Sequence, residues 1–360
     1  MSYYILPKNI NIINVNPKCS NNPHDVCISF TLLNYYNSLK NQIIDMFFLI
    51  DDISSNNFEE AITIVNPCEF IFSKVPGSNF SVSKLKPKTN LFYDLFEIVN
   101  NLSLFDIFKK NNIKTLHMSP NYCDSIFCNE MLRENYIDEH IFYNNVNLYS
   151  ELNNNKFDYI FYECDKSNYF ISLIISLIIL LKNQQYNGIC IIKINDVFHK
   201  NVLDVLYFLT SLYDKVYMVK PNTSNITSFD KYIVCKNFKY NNNNLNNNYL
   251  KLNYYKLLIF IKKIEPHKNY ITEILDFNIP YYFKTKIDDL NIIIGQQQLE
   301  ALNQIINIFK NKNKEDKIES IKKINIKKSV SWCEKYKIPC NKFSEKINIF
   351  LPIINDTILL

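Results

Sequence analysis

From Ile113 onward the chain alternates short apolar stretches with longer amphipathic ones. Residues 113–118, 159–162, 189–194, 215–220 and 231–238 are short runs rich in β-branched and aromatic residues, and they read as strands. Between them, 124–134, 167–183 and 201–213 carry apolar residues at helical spacing. Strands alternating with helices predict an α/β fold built on a doubly wound, mostly parallel sheet. The connection 221–230 is too short for a crossover helix with its loops, so the last two strands are expected to pair as an antiparallel edge hairpin. Upstream, Leu91–Val99 is apolar at helical spacing and should pack on the sheet, and a polar break falls near residues 51–57. Downstream, the Asn-rich tract 241–248 reads as a loop, followed by a helical tail through Gln296–Leu299 and the charged segment 310–328 to Trp332. The pattern divides the chain into an N-terminal extension (1–80), a core domain (81–240) and a helical C-terminal extension (241–360).

Composition agrees with a folded protein: 360 residues, 47% hydrophobic and 21% charged, are enough to bury a large core. Glycine is confined to Gly77, Gly188 and Gly295, and Arg133 is the single arginine. Left-handed turns are therefore expected on Asn and Asp, the next most tolerant residues. A net charge of +5 permits contact with nucleic acid without demanding it. The lysines at 322, 323, 327 and 328 are either a solvated helix face or a phosphate-contacting one. The ten cysteines form no CxxC pair, and several sit inside apolar strands, as in Ile189-Cys190-Ile191. They read as buried, reduced thiols of an intracellular protein and not as a metal site. The opening residues carry no signal-peptide pattern, and the apolar run Tyr169–Leu181 is shorter than the ~20 residues a spanning helix needs. His117, inside an apolar strand, reads as a satisfied core residue.

Three pieces taken together carry a resemblance. Asn187–Lys193 is a strand ending in lysine, Lys215–Ser224 a strand running into Lys220-Pro221-Asn222-Thr223-Ser224, and Lys231–Phe238 a strand that follows the acidic Asp230. This arrangement resembles the back half of FtsJ-like (RrmJ-type) RNA cap and ribose 2′-O-methyltransferases, and Ser81–Pro87 looks like the lead-in found in their large-DNA-virus members. The resemblance implies a Rossmann-like methyltransferase fold. It also implies a Lys-Asp-Lys-Glu tetrad, whose positions fall here on Asp94, Glu163, Lys193 and Asp230, so that only Lys193 is retained. The glycine-rich cofactor loop of the family falls on Pro120, Asn121, Tyr122, Cys123 and Asp124. Asn121 and Asp124 are the residues expected to turn left-handed there, while Tyr122 and Cys123 add bulk where the methionine part of S-adenosylmethionine would lie.

Asp94 reverses a charge, and a carboxylate one carbon longer or shorter displaces an oxygen by roughly 1 Å, enough to cost about 100-fold in rate. The resemblance thus implies a catalytically degenerate protein that binds no cofactor and serves viral mRNA capping through RNA or through a protein partner, such as a capping enzyme or an active methyltransferase. The alternative is an active, divergent S-adenosylmethionine-dependent RNA 2′-O-methyltransferase, and a third reading is a virion component. Large-DNA-virus likeness implies the host cytoplasm, with no membrane partner. For Lys193 two roles stand open: catalysis, or an ion pair with Glu163 or Asp230 that ties strand ends together.

Overall fold

The computed structural model describes residues 1–22, 25–48, 55–144, 152, 155–240, 247–264, 270–310 and 315–341. The Asn-rich stretch 241–246 and most of the polar break at 51–57 lie outside them. The chain runs β1 (Ser2–Ile5), β2 (Lys18–Ser20), α1 (Phe30–Phe48), α2 (Ser55–Val65), α3 (Leu91–Asn101), β3 (Lys114–Met118), α4 (Tyr122–Leu132) and β4 (Glu139–Tyr143). It continues through β5 (Phe157–Glu163), α5 (Tyr169–Asn183), β6 (Gln184–Ile194), α6 (Lys200–Leu212), β7 (Tyr213–Lys220) and β8 (Lys231–Phe238). It ends with α7 (Asn247–Lys263), β9 (Tyr270–Glu273), α8 (Tyr281–Lys310) and α9 (Glu315–Lys335).

Period-two alternation sorts the strand residues between two cores. Leu116, Met118, Ile160, Tyr162, Cys190 and Ile192 face one way, into a cluster with the apolar sides of α5 and α6. Tyr159, Phe161, Ile189, Ile191, Tyr232 and Val234 face the other way, onto α3 and Trp332 of α9. Helices on both faces make the sheet doubly wound, as the sequence pattern predicts. A third, smaller core joins α1 and α2 to the C-terminal half of α8.

The seven strands lie in the order β1-β7-β8-β6-β5-β3-β4. β4, β3, β5 and β6 are mutually parallel, whereas β8 is antiparallel to both β6 and β7. The β7–β8 hairpin expected from the short 221–230 connection is present. It does not end the sheet: β1 pairs antiparallel with β7 and takes the outermost position. β2 and β9 form a separate two-stranded antiparallel sheet. β4 was not foreseen, because its half-exposed residues on the opposite edge lack a run of buried positions.

Two details correct the turn chemistry expected from composition. The non-glycine residues with left-handed backbone are Ser29, Ser103, Asn187, Asn237 and Lys337, so Asn serves twice and Asp not at all among the described residues. Asn187 turns the chain inside β6, and Gly188 follows it where an added Cβ would lie 2.9 Å from the Asp158 carbonyl oxygen. That close approach of two strands, at a register shift in the β5–β6 ladder, is what requires glycine here.

Candidate functional site

β3 connects to β4 on one side, and the chain then returns to lay β5 on the other side of β3. The strand order therefore reverses between β3 and β5, and in open α/β sheets the crevice at the carboxyl ends of such a pair is where ligands bind. Ser119, Glu163 and Lys193 stand at or just beyond the carboxyl ends of β3, β5 and β6. Glu163 and Lys193 are direct register partners, as are Lys193 and Tyr232. Alternation places these side chains on the face covered by α3.

The polar groups there are engaged with one another. Lys193 Nζ lies 2.8 Å from Glu163 Oε1, with both side chains largely buried. The other carboxylate oxygen of Glu163 accepts a 2.5 Å hydrogen bond from Ser119 Oγ, so a continuous Ser119–Glu163–Lys193 bridge crosses the switch-point crevice. Asp94, on the first turn of α3, is buried; its Oδ1 accepts from Thr223 Oγ1 at 2.5 Å and its Oδ2 from Tyr232 OH at 2.8 Å. Burial pushes the Asp94 carboxyl up to about 6, opposed by the Thr223 and Tyr232 hydrogen bonds and by the charges of Lys193 and Lys220. Burial alone would pull the Lys193 ammonium down, but Glu163, with Asp94 and Asp230 adding to it, holds it above the ordinary lysine range. Lys193 is thus held in its protonated form by the ion pair with Glu163.

Of the four tetrad positions, Asp94, Glu163 and Lys193 share one polar belt. Asp230 contributes to the field at Lys193, but its carboxylate forms an ion pair with Lys166 at 3.1 Å. Of the two partners expected for Lys193, Glu163 is the one that pairs. The belt also contains three residues the sequence did not single out: Ser119, Thr223 and Tyr232. Thr223 lay in plain view in the Lys-Pro-Asn-Thr-Ser turn, but nothing local tells that this turn folds back onto α3. Lys220 holds the turn in place, its buried Nζ donating to the carbonyl oxygens of Asn225, Ser228 and Asp230 at 2.9, 3.0 and 2.8 Å.

The stretch 120–124 differs in form from the expected glycine-rich loop. Helix α4 already begins at Tyr122, which leaves Pro120 and Asn121 as the connection. Neither Asn121, with φ of −104°, nor the helical Asp124 is left-handed. The reason is visible in their bonds. Asn121 N–H donates to Ser119 Oγ, and the Asp124 carboxylate accepts from the backbone N–H groups of Lys88 and Thr89 at 2.8 and 2.7 Å and from Thr89 Oγ1 at 2.5 Å. Asp124 thus anchors the lead-in to α3. The Tyr122 ring stacks on Phe142 of β4, with centroids 4.2 Å apart and planes 8° from parallel. Cys123 has only a 3.8 Å contact with Lys88 Nζ.

His117, buried beneath this loop, bonds to Thr115 Oγ1 and Ser125 Oγ at 2.9 and 2.8 Å, and burial lowers it to about 3. It is a neutral core residue, as the sequence implies. The Cys128 thiol is driven up by burial, which makes it a poor nucleophile. Among the described residues no His, Cys, Asp and Glu cluster could hold a metal, and no helix is long and apolar enough to cross a membrane.

No protein-family model matches the sequence, and no curated protein does. Among solved structures, similarity is found to a Plasmodium falciparum protein described as a ribosomal RNA methyltransferase, at 18% identity and a TM-score of 0.32, over 43% of this chain and 100% of that one. A phosphoethanolamine N-methyltransferase 2 of Haemonchus contortus, solved with S-adenosyl-L-methionine, is similar at 13% identity and a TM-score of 0.27, over 42% of this chain and 39% of that one. An S-adenosylmethionine-dependent methyltransferase of Clostridium acetobutylicum is similar at 14% identity and a TM-score of 0.20, over 47% and 81% of the two chains. At these identities the likeness extends no further than the wound α/β sheet.

Proposed function

We propose that this protein carries a methyltransferase-type fold whose catalytic site is degenerate, and that it acts as a non-catalytic partner in viral mRNA capping, binding RNA or supporting an active capping methyltransferase. The observation that carries this reading is Asp94. At the position where the resemblance places a catalytic lysine, a carboxylate is buried and both its oxygens are consumed by Thr223 and Tyr232. A buried carboxyl with both oxygens engaged by hydroxyls offers no cation to a developing alkoxide.

The crevice itself supports the same reading. S-adenosylmethionine would have to enter between the ends of β3 and β5, where the Ser119–Glu163 hydrogen bond spans the opening and the Tyr122–Phe142 stack stands beside it. The carboxylates there are already committed: Glu163 to Lys193 and Ser119, Asp124 to the backbone of Lys88 and Thr89. These residues do not fit the cofactor. The retained Lys193 favours the alternative of an active 2′-O-methyltransferase, but a lysine held protonated by Glu163 lacks the free base that reading needs.

Calorimetric titration with S-adenosylmethionine and S-adenosylhomocysteine tests the proposal. The expected result is no heat and no thermal stabilisation at millimolar ligand, together with a faster methyl transfer by an active cap methyltransferase when this protein is added. Micromolar cofactor binding, with methyl transfer to capped RNA that disappears in Lys193→Met, would establish the active enzyme instead.

A further inference from the structure

A sizeable cavity borders the turn that carries Thr223. It is a groove of about 690 Å³ between α8 and α9, floored by Pro67, Cys68 and the turn Pro221–Ser224. A second hollow of about 300 Å³ adjoins it, sharing Pro67, Ile226, Gln297, Ile324 and Lys328 as walls. Volumes of this order are typical of small-molecule sites.

Helix α9 gives the groove one wall. Ile324, Lys328, Ser331 and Lys335 recur at i, i+4, i+7 and i+11, which sets them on one side of the helix, and Lys327 lies beside them. The three lysines are exposed and span about 12 Å of helix. Glu97, the carboxylate lining the larger hollow, is engaged by the Asn222 N–H at 2.9 Å and by the amino group of Met1 at 3.1 Å, and Glu300, in the smaller one, accepts from Gln296 Nε2 at 3.3 Å. Lys220 is tied to carbonyl oxygens of its own turn. The free charge on the rim is therefore positive.

Besides Glu97 Oε1, which meets the Met1 ammonium, two buried polar atoms of lining residues have no hydrogen-bond partner: the indole Nε1–H of Trp332 and Oε1 of Gln298, on side chains only 5% and 1% exposed. Folded proteins rarely leave such atoms unpaired without a ligand or water to complete them. Both are held in position. Trp332 packs against Tyr93 and Tyr336, with ring centroids 5.8 and 4.6 Å away. Gln298 donates through Nε2 to the Ser228 carbonyl, which fixes its Oε1 as the free acceptor. A fixed donor and a fixed acceptor on an apolar floor, beneath a rim of ammonium groups, call for a ligand with a polar-edged planar ring and a phosphate.

We propose that the groove binds a 5′-phosphorylated nucleoside, its base edge accepting from Trp332 and donating to Gln298, and its phosphates on Lys327, Lys328 and Lys335. A carboxylate ligand would leave Gln298 without a donor, and inorganic phosphate would reach only the rim. The site borders the Asp94–Lys193 belt through α3 and the 221–224 turn but takes none of the belt's side chains, and it does not rest on the function proposed for that belt.

Trp332 is the only tryptophan in the chain, so its emission reports on this groove alone. The test titrates the full-length protein with GTP, ATP, inorganic tripolyphosphate, and RNA oligonucleotides bearing a 5′-triphosphate or a 5′-hydroxyl, and follows tryptophan fluorescence. A saturable change with a mononucleotide is expected, weakened roughly tenfold or more in Lys328→Glu/Lys335→Glu, whose substitutions are on exposed positions. Gln298→Glu, which keeps the shape of the side chain but replaces its free acceptor with a charge, should weaken nucleotide binding in protein shown by its circular dichroism to be folded. A response to triphosphorylated RNA without one to mononucleotides would also support the site and assign the RNA end as its source. Silence toward every nucleotide at millimolar concentration, an undiminished response in the double variant, or tripolyphosphate matching GTP would overturn the proposal.

Discussion

Asp94→Lys, which would place lysine at the first tetrad position, is expected to lower stability by about 3–5 kcal/mol and to confer no methyl transfer. The hydroxyls of Thr223 and Tyr232 would lose their acceptor, each at about 1–3 kcal/mol. The new ammonium would be buried within the fields of Lys193 and Lys220, whose charges now act favourably on the Asp94 carboxylate. Urea unfolding of the purified variant measures the cost, and a variant as stable as the parent would refute the account of Asp94 given above. Asp94→Asn isolates the charge. The Asp94 carboxyl ionises at about 6 when folded, against an ordinary value of 3.8, so between those pH values the unfolded chain releases a proton that the folded chain keeps. The stability this supplies is fully present below pH 3.8 and is lost as pH rises through 6. Relative to Asp94→Asn, the parent should therefore lose about 2 kcal/mol between pH 4 and pH 7. A difference that stays flat over that range would show that the carboxyl is not perturbed.

Arg133→Lys is expected to cost about 2–3 kcal/mol and Arg133→Ala about 3–5, large effects for positions remote from any proposed ligand. In a chain that otherwise uses lysine throughout, the one arginine makes a contact lysine cannot copy. Its Nε and Nη2 grip the two Asp138 oxygens at 2.5 and 3.1 Å, while Nη2 and Nη1 donate to the carbonyl oxygens of Asn111 and Phe108 at 2.7 and 3.3 Å. The guanidinium lies 4.3 Å from the Tyr136 ring centre. Asp138 in turn accepts from the Ile113 N–H, so one side chain fastens the end of α4 to the starts of β3 and β4. A lysine would keep a single point contact and leave carbonyls and a carboxylate oxygen unpaired. Chemical denaturation reads the loss, and an unchanged midpoint in Arg133→Lys would mean that the fork geometry contributes nothing.

Strands and helices of the core were legible because burial on both faces of a parallel sheet writes itself as short apolar runs between amphipathic ones. β8 appears at the expected residues, 231–238, for that reason. β1 and β4 were not legible: each is short, partly exposed and identified only by its neighbour in the sheet. In the site, the Glu163–Lys193 pair could be anticipated from two strand ends carrying opposite charges. The Thr223–Asp94–Tyr232 knot could not, since it joins a turn, a helix and a strand whose separation along the chain conceals their contact. Asp124 shows a further limit. A residue that the resemblance puts in a ligand loop is, in space, the anchor of a preceding segment.

The pairing of β1 with β7 has a consequence for how the protein comes off the ribosome. Ser2 through Ile5 emerge ahead of β3, β4, β5, β6 and β7, yet their hydrogen-bonding partners are Tyr217–Lys220, made after four other strands of the same sheet. Until β7 and β8 have closed as a hairpin, the first strand has no edge to join. Its docking therefore closes a contact of long sequence separation, one that can form only after β7 has been made.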